Sequence, residues 1–275
     1  MHSNIDTLFA NLWQDYLNIT PSAQKIHQLL GEHEASGSSA LVNDHIALRT
    51  FNFEKVNLDK LAAHFLALGY EEKGQYTFKQ KKLRAKHFEH ANNNQPKVFI
   101  SELLVEELSD EAQNIIQQMV ANIADDACGH DCFLYSGTHW QISTAQYETL
   151  LAESEYAAWM SAWGFRANHF TVSLNHMSHF KILADVNIKL KDSGFVLNTS
   201  GGEIKGGSDV HLAQSSTMAD EIEVQFADSK KVIPSCFYEF AQRYPMACGT
   251  LYQGFVASSA DKIFESTNTH STRGC

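Results

Sequence analysis

"NDHIALRTF" (residues 43–51) and "ANHFTVSLN" (residues 167–175) are the stretches whose reading decides the fold. Both alternate with period two, the pattern of a strand with two chemically different faces. In the first, His45, Ala47 and Arg49 fall on one side and Ile46 and Leu48 on the other. In the second, His169, Thr171, Ser173 and Asn175 share a side, opposite Phe170, Val172 and Leu174. A half-buried strand normally gives its second face to water. Here that face opens with an imidazole in both copies.

The order of elements around the two stretches is also shared. After the first come a helical pattern at 57–69 and strand-like pieces at 75–80, 83–90 and 97–104. After the second come a helical pattern at 178–193 and strand-like pieces near 195–198, 209–215, 219–227 and 233–241. The order and polarity predict two β-α-β-β-β units, an internal duplication. In both, the last strand carries an acid, Glu102 in one and Glu239 in the other.

The remaining chain reads as helix. Ile5, Leu8, Phe9, Leu12, Trp13 and Tyr16, then Ile26, Leu29 and Leu30 beyond Pro21, predict an N-terminal helical pair ending in the loop "EASGSSA" (34–40). Between the units, "SDEAQNIIQQMVANIA" places acids in its first turn, and "STAQYETLLAESEYAAWMSAW" opens with Ser143 and Gln146 at capping-box spacing. The expectation is an α+β single domain over 1–275. Its parts are N-terminal helices (1–36), a first module (40–106), a helical insertion (107–166), a second module (167–258) and a polar tail (259–275).

Composition excludes several classes. Hydrophobic residues make up 44% and charged residues 19%, and the net charge of -11 disfavours nucleic acid and anionic membranes as partners. No stretch approaches the roughly 20 apolar residues of a membrane span, and "MHSNIDTLFANLW" lacks the features of a secretory signal. Five cysteines in 275 residues fit free thiols in a reducing cytoplasm.

If the units pack as duplicated halves, their first and last strands line a shared cup in which His45, His169 and Glu239 can meet. Two imidazoles and a carboxylate on one face of a metal suit Fe(II) holding a 2-oxo acid and dioxygen. Zn(II) on the same ligands would favour hydrolysis. Arg49, four residues from His45, shares its side of the strand, and its planar fork suits the far carboxylate of a small diacid. Arg243 bears the same relation to Glu239, and Thr171 and Ser173 would line the wall. The plain alternative is core histidines, since the chain has 14 of them.

Weaker signals stand aside. "CGHDC" (128–132) supplies one ligand couple where structural zinc sites usually have two. "SGGEIKGGSD" (200–209) has no phosphate-loop spacing and reads as a mobile connection, a candidate lid. Cys236 alternates away from Glu239 toward the core, and Trp159, Trp163 and Phe165 are spaced as helix core.

"NDHIALRTF", "ESEYAAWMSAWGFRANHFTVSLN" and "FYEFAQR" resemble the 2-oxoadipate dioxygenase/decarboxylase family, long catalogued as a domain of unknown function, over about residues 40–255. The resemblance implies a vicinal-oxygen-chelate-like fold of paired modules, Fe(II) on His45, His169 and Glu239, and contact between Arg49 and a substrate carboxylate. It also implies the reaction: a 2-oxo acid chelates the metal beside dioxygen, CO2 is lost and the shortened acid is hydroxylated. 2-Oxoadipate would then give 2-hydroxyglutarate, in lysine catabolism, without an organic cofactor. The family's enzymes run longer at the C-terminus, so the pocket walls from that region are expected to be absent or replaced. Two other readings keep the cup. One is a glyoxalase-like lyase or isomerase with Zn(II), Ni(II) or Mn(II) and Glu102 as fourth ligand; the other is a non-enzymatic metabolite-binding module.

Overall fold

A computed structural model describes residues 1–32 and 41–267. The expected loop at 34–40 and the last residues of the expected tail lie outside the described residues.

Each half builds the same sheet. In the first, β1 (Asn43–Phe51) leads through α3 (Leu58–Leu66) to β2 (Tyr70–Phe78), β3 (Leu83–His90) and β4 (Lys97–Leu103). In the second, β5 (Ala167–Ser173) leads through α7 (Leu183–Asp192) to β6 (Lys205–Gly207), β7 (Leu212–Ser216) and β10 (Phe237–Arg243). β1 pairs parallel with β4 and β5 parallel with β10, while β1 and β5 pair antiparallel and join the halves. The result is one eight-stranded sheet in the order β2-β3-β4-β1-β5-β10-β7-β6, curled into a half-barrel of paired vicinal-oxygen-chelate-like modules.

The apolar sides of the central strands face the helices. α1 (Ile5–Ile19) lays Trp13 and Tyr16 against Phe170, with ring centroids 4.9 and 5.0 Å apart, and both rings also meet Tyr238. The Tyr16 hydroxyl donates to the Phe237 carbonyl at 2.5 Å, so burying the ring leaves no polar atom stranded. Each such ring removes on the order of 150–250 Å² from water, about 4–6 kcal/mol at ~25 cal/mol per Å². α2 (Pro21–Gly31) adds its apolar face behind β10. With that side sealed, the histidine-bearing side becomes the concave one. It is not wet: β1 is buried along both faces from Asp44 on, and β5 throughout.

The insertion holds α4 (Asp110–Ala121), α5 (Thr144–Glu153) and α6 (Glu155–Trp163), and the capping box at Ser143 and Gln146 forms as its spacing predicts. Tyr156 of α6 receives the Thr50 N–H at 2.9 Å and donates to the Ser101 carbonyl at 2.7 Å, pinning the insertion to β1 and β4.

Four expectations need correction. Residues 195–198 form no strand, and Leu197 makes a single bridge to Thr217. The strand takes its place inside the glycine-rich stretch read as a loop, as β6, whose Gly206 has φ +75° and whose Lys205 is buried. The piece at 219–227 is β8 (Glu221–Gln225), which pairs with β9 (Lys230–Pro234) in a separate hairpin inserted before β10. Finally, the polar tail is folded through Thr267. α8 (Ala257–Ile263) touches β2, β6 and β7, bridging the two ends of the curled sheet. Its polar composition hid this because Ser266 is buried on other polar groups, with Asn198 donating to it at 2.8 Å and the Ser216 hydroxyl also 2.8 Å away.

None of the helices among the described residues is long and apolar enough to cross a membrane.

Candidate metal centre

His45 from β1, His169 from β5 and Glu239 from β10 converge on the concave side, each offering one ligand atom with all three within 4.8 Å of one another. Glu239 addresses the two rings with separate oxygens: Oε1 lies 3.5 Å from His45 Nε2 and Oε2 lies 3.2 Å from His169 Nε2. The imidazoles stand edge to face with centroids 5.6 Å apart. Among the described residues this is the one group of three such side chains with metal-holding spacing.

The register of the β1–β5 pairing explains how both rings aim correctly. Asn43 pairs with Val172 and His45 with Thr171, so Asp44 is an extra residue in β1. Ala47 pairs with His169 and Leu48 with Ala167, so Asn168 is an extra residue in β5. These are two β-bulges, which re-aim side chains locally. Each bulged side chain reaches the Nδ1 of the histidine that follows it: Asp44 Oδ1 at 2.8 Å from His45, Asn168 Oδ1 at 3.1 Å from His169. An acceptor on Nδ1 fixes the tautomer and leaves Nε2 free to bind a metal. Neither residue was flagged from sequence. The signal is a polar residue breaking the apolar alternation immediately before each histidine, "DH" and "NH".

The electrostatics are those of a cation site. Glu239 is completely buried, and burial raises its carboxyl above the usual range against the pull of His45 and the Gln214 amide, which donates to Oε1 at 2.6 Å. Its Oε2 has no hydrogen-bond donor. Burial, reinforced by His45 and Arg49, holds His169 well below its ordinary value, so the ring is neutral and available as a ligand. A buried carboxylate with an orphaned oxygen facing two imidazoles fits a divalent ion, and two histidines plus one carboxylate is the donor set of Fe(II) oxygenases.

The model of the family described as 2-oxoadipate dioxygenase/decarboxylase matches residues 8–128 and 131–250. The chain belongs to that family. It is 34% identical to the chloroplastic 2-oxoadipate dioxygenase/decarboxylase of Arabidopsis thaliana, over 92% of this chain and 74% of that protein. Among solved structures it is similar to the hydroxyglutarate synthase of Oryza sativa in complex with 2-oxoadipate, with 33% identity, a TM-score of 0.89, and 96% of this chain and 91% of that one covered. A Shewanella frigidimarina protein, solved under a provisional hydrolase description, is 59% identical, with a TM-score of 0.89 and coverage of 94% and 99%. A glyoxalase-superfamily protein from Ralstonia eutropha shares the fold at 21% identity and a TM-score of 0.73.

The two modules contribute three candidate ligands, and the position related to Glu239 adds no fourth. Glu239 pairs with Thr171, two residues after His169; two residues after His45 stands Ala47, which pairs with Phe99. The corner of the cup related to Glu239 is therefore apolar. Glu102 lies elsewhere: it accepts the Leu58 N–H at the start of α3 at 2.7 Å and pairs with Arg84. That removes the fourth ligand on which the lyase reading rests.

Arg49 sits at one end of the cup, clasped by aromatic faces. Its guanidinium carbon is 4.9 Å from the centroids of Tyr156 and Trp159 and 5.7 Å from that of Phe264. Trp159, expected as helix core, and Phe264, expected in the polar tail, thus share in placing it. Arg49 is buried, yet its Nε and Nη1 have no hydrogen-bond acceptor. It lines a cavity of about 300 Å³ with Leu83, Tyr156 and Phe264, where Lys81 and Lys82 stand with Glu153 and Glu155; His45, His169 and Glu239 are not among its lining residues. A larger groove of about 470 Å³ between α4 and α5 holds none of the site residues.

Ser173 and Arg243 do not face that cavity. Ser173 donates its N–H to the carbonyl of Val42, just before β1 and seven residues from Arg49, or roughly 23 Å at ~3.3 Å per residue. Its hydroxyl meets His176 Nδ1 at 2.8 Å. Arg243 grips Asp44 with both arms of its fork, at 2.7 and 2.8 Å. Alternation places both on the side of His169 and Glu239, and the structure puts them at the end away from Arg49. Thr171 is closer to the centre, its hydroxyl 3.0 Å from His45 Nε2. Cys236 is fully buried, and burial pushes its thiol up to about 12, in keeping with a core role.

Two further groups went unflagged in the sequence. Phe255, beyond the last strand, stands edge-on to His45 at 4.8 Å, and Phe237 stacks on His169 at 4.7 Å. Lys205, buried beside the carbonyl of Asn198 at 2.5 Å, adds a positive charge near Glu239; burial pushes its amine down to about 8.

Proposed function

We propose that this chain is an Fe(II)-dependent dioxygenase that converts 2-oxoadipate and dioxygen to 2-hydroxyglutarate and CO2. The observation that carries the proposal is the meeting of His45, His169 and Glu239 in a closed cup, with the cationic Arg49 at one end, in a member of this family. The atoms balance: one oxygen of O2 ends in a carboxyl group as CO2 leaves, and the other becomes the new hydroxyl.

His45 and His169 would hold the metal through Nε2 and Glu239 through its carboxylate. An Fe(II) held there would supply the Lewis acidity and the electrons that reaction of a 2-oxo acid with dioxygen requires. The chain's own residues do the rest. Asp44 and Asn168 keep both imidazoles in the ligating tautomer. Arg49 has two unsatisfied N–H groups to give the substrate's far carboxylate, a charge-assisted pairing that replaces what the side chain lost on burial. Phe99, Phe237 and Phe255 exclude water around the ligands, which strengthens each charge interaction inside. The cysteine usage supports a reducing compartment such as the cytoplasm.

The test is oxygen uptake coupled one-to-one to CO2 release by Fe(II)-loaded, ascorbate-protected protein given 2-oxoadipate, with 2-hydroxyglutarate identified by mass. Iron-loaded protein that is silent across a panel of 2-oxo acids overturns the proposal.

A further inference from the structure

Arg243 connects the hydrogen-bond partner of His45 to the segment that follows the last strand. On one side its Nε and Nη2 hold both oxygens of Asp44, whose Oδ1 is also the partner of His45 Nδ1. On the other, its Nη1 donates to the carbonyls of Tyr252 at 3.0 Å and Gly254 at 2.8 Å. The main chain at Arg243 is itself clamped, exchanging hydrogen bonds with the Asn175 side chain at 2.8 and 2.9 Å. The segment it holds is the one that closes the cup. Phe255 follows directly, its ring 5.4 Å from the Arg243 guanidinium and 4.8 Å from His45, its N–H donating to the Tyr76 hydroxyl at 3.1 Å. Beyond it α8 spans the ends of the sheet and carries Phe264 to Arg49.

We infer that Arg243 is a positioning residue through which docking of the 252–267 segment and metal binding at His45 reinforce each other. The chain of contacts runs from segment carbonyls to guanidinium to carboxylate to imidazole, and each link has fixed geometry. If the segment lifts, the fork loses two acceptors and Asp44 loses the partner that fixes its angle to His45. If a metal fixes the ring of His45, Asp44 and Arg243 are held in the arrangement that receives the two carbonyls. Coupling of this kind is reciprocal, so the factor by which docking improves metal affinity equals the factor by which metal improves docking. Lysine cannot substitute, because a point ammonium cannot grip a carboxylate with two parallel bonds and serve two carbonyls at once. The inference rests on the proposed metal centre and not on the identity of the substrate.

The experiment uses Co(II) as the probe, read by its visible spectrum, together with amide hydrogen exchange of the full chain. In the unaltered protein Co(II) should slow exchange across 252–267, and Arg243→Lys, one link beyond Asp44, should weaken Co(II) about 10-fold, the low end of the range for losing an outer partner of a metal ligand. In Arg243→Lys the metal-dependent protection of 252–267 should vanish. Unaltered protein that binds Co(II) with no change of exchange in that segment overturns the inference while sparing the metal centre, and this result needs no variant to fold. Arg243→Lys that melts earlier yet binds Co(II) as tightly as the unaltered protein also overturns it, reducing Arg243 to a structural tie. Unaltered protein that takes up no Co(II) sinks the inference and the metal centre together.

Discussion

Replacing Arg49 with methionine should separate substrate recognition from stability. In the free protein the side chain is 3% exposed with Nε and Nη1 unpaired. Each orphaned donor costs about 1–3 kcal/mol, together about 2–6. Against this stand three aromatic faces at 4.9, 4.9 and 5.7 Å, each returning about 0.5–2 kcal/mol to a desolvated cation. The terms nearly cancel. Methionine fills a similar volume, so Arg49→Met should change stability by no more than about 2 kcal/mol, and melting by no more than about 8 °C. Binding should respond differently. The far carboxylate of 2-oxoadipate loses a buried charged partner, at a cost of about 2–5 kcal/mol, or about 30- to 5000-fold in kcat/KM. The control is 2-oxohexanoate, which lacks that carboxylate and leaves Arg49 unpaired even in the unaltered enzyme. Arg49→Met should handle it as well as before or better. Oxygen uptake with both substrates measures the cycle, and calorimetry checks the fold. Equal losses on both substrates, or an undiminished preference for the diacid, would refute the pairing.

Alanine at His45, His169 or Glu239 should each abolish metal uptake in elemental analysis of iron-loaded protein. In the unaltered protein, metal at a hundred times Kd should raise stability by about 2.7 kcal/mol, and Glu239→Ala should lose that gain. Glu102→Ala should leave metal uptake intact but lower stability by about 1–3 kcal/mol, since it strands the Leu58 N–H that Glu102 accepts; impaired metal binding in this variant would return Glu102 to the centre. Lys205 gives a pH signature. Its folded amine releases its proton near 8 and its unfolded amine near 10.5, so unfolding takes up a proton between those values and stability contributed by this group rises with pH. Denaturant melts at pH 8 and 9.5 should show a smaller pH-dependent gain in Lys205→Met than in the unaltered protein; an identical gain would place the amine in water.

The two strands that open with histidine, the element order around them and the alternation that puts His45, Arg49, His169 and Glu239 on one face were all written locally. Period and polarity need only a few neighbouring residues to declare themselves. Alternation fixes which side a residue takes but not how far along the cup it lies, and so it could not tell that Arg243 and Ser173 lie at the end of the strands away from Arg49. Asp44 and Asn168 stand out locally as polar residues in an apolar row, but that they are bulged does not show, because an extra residue exists only relative to the strand opposite. The closing segment was hidden for a related reason. Serine and threonine in "ASSADKIFEST" look solvated until the sheet brings Asn198 and Ser216 to meet them, and Phe255 and Phe264 acquire their roles only where the ends of two modules come within reach of one helix.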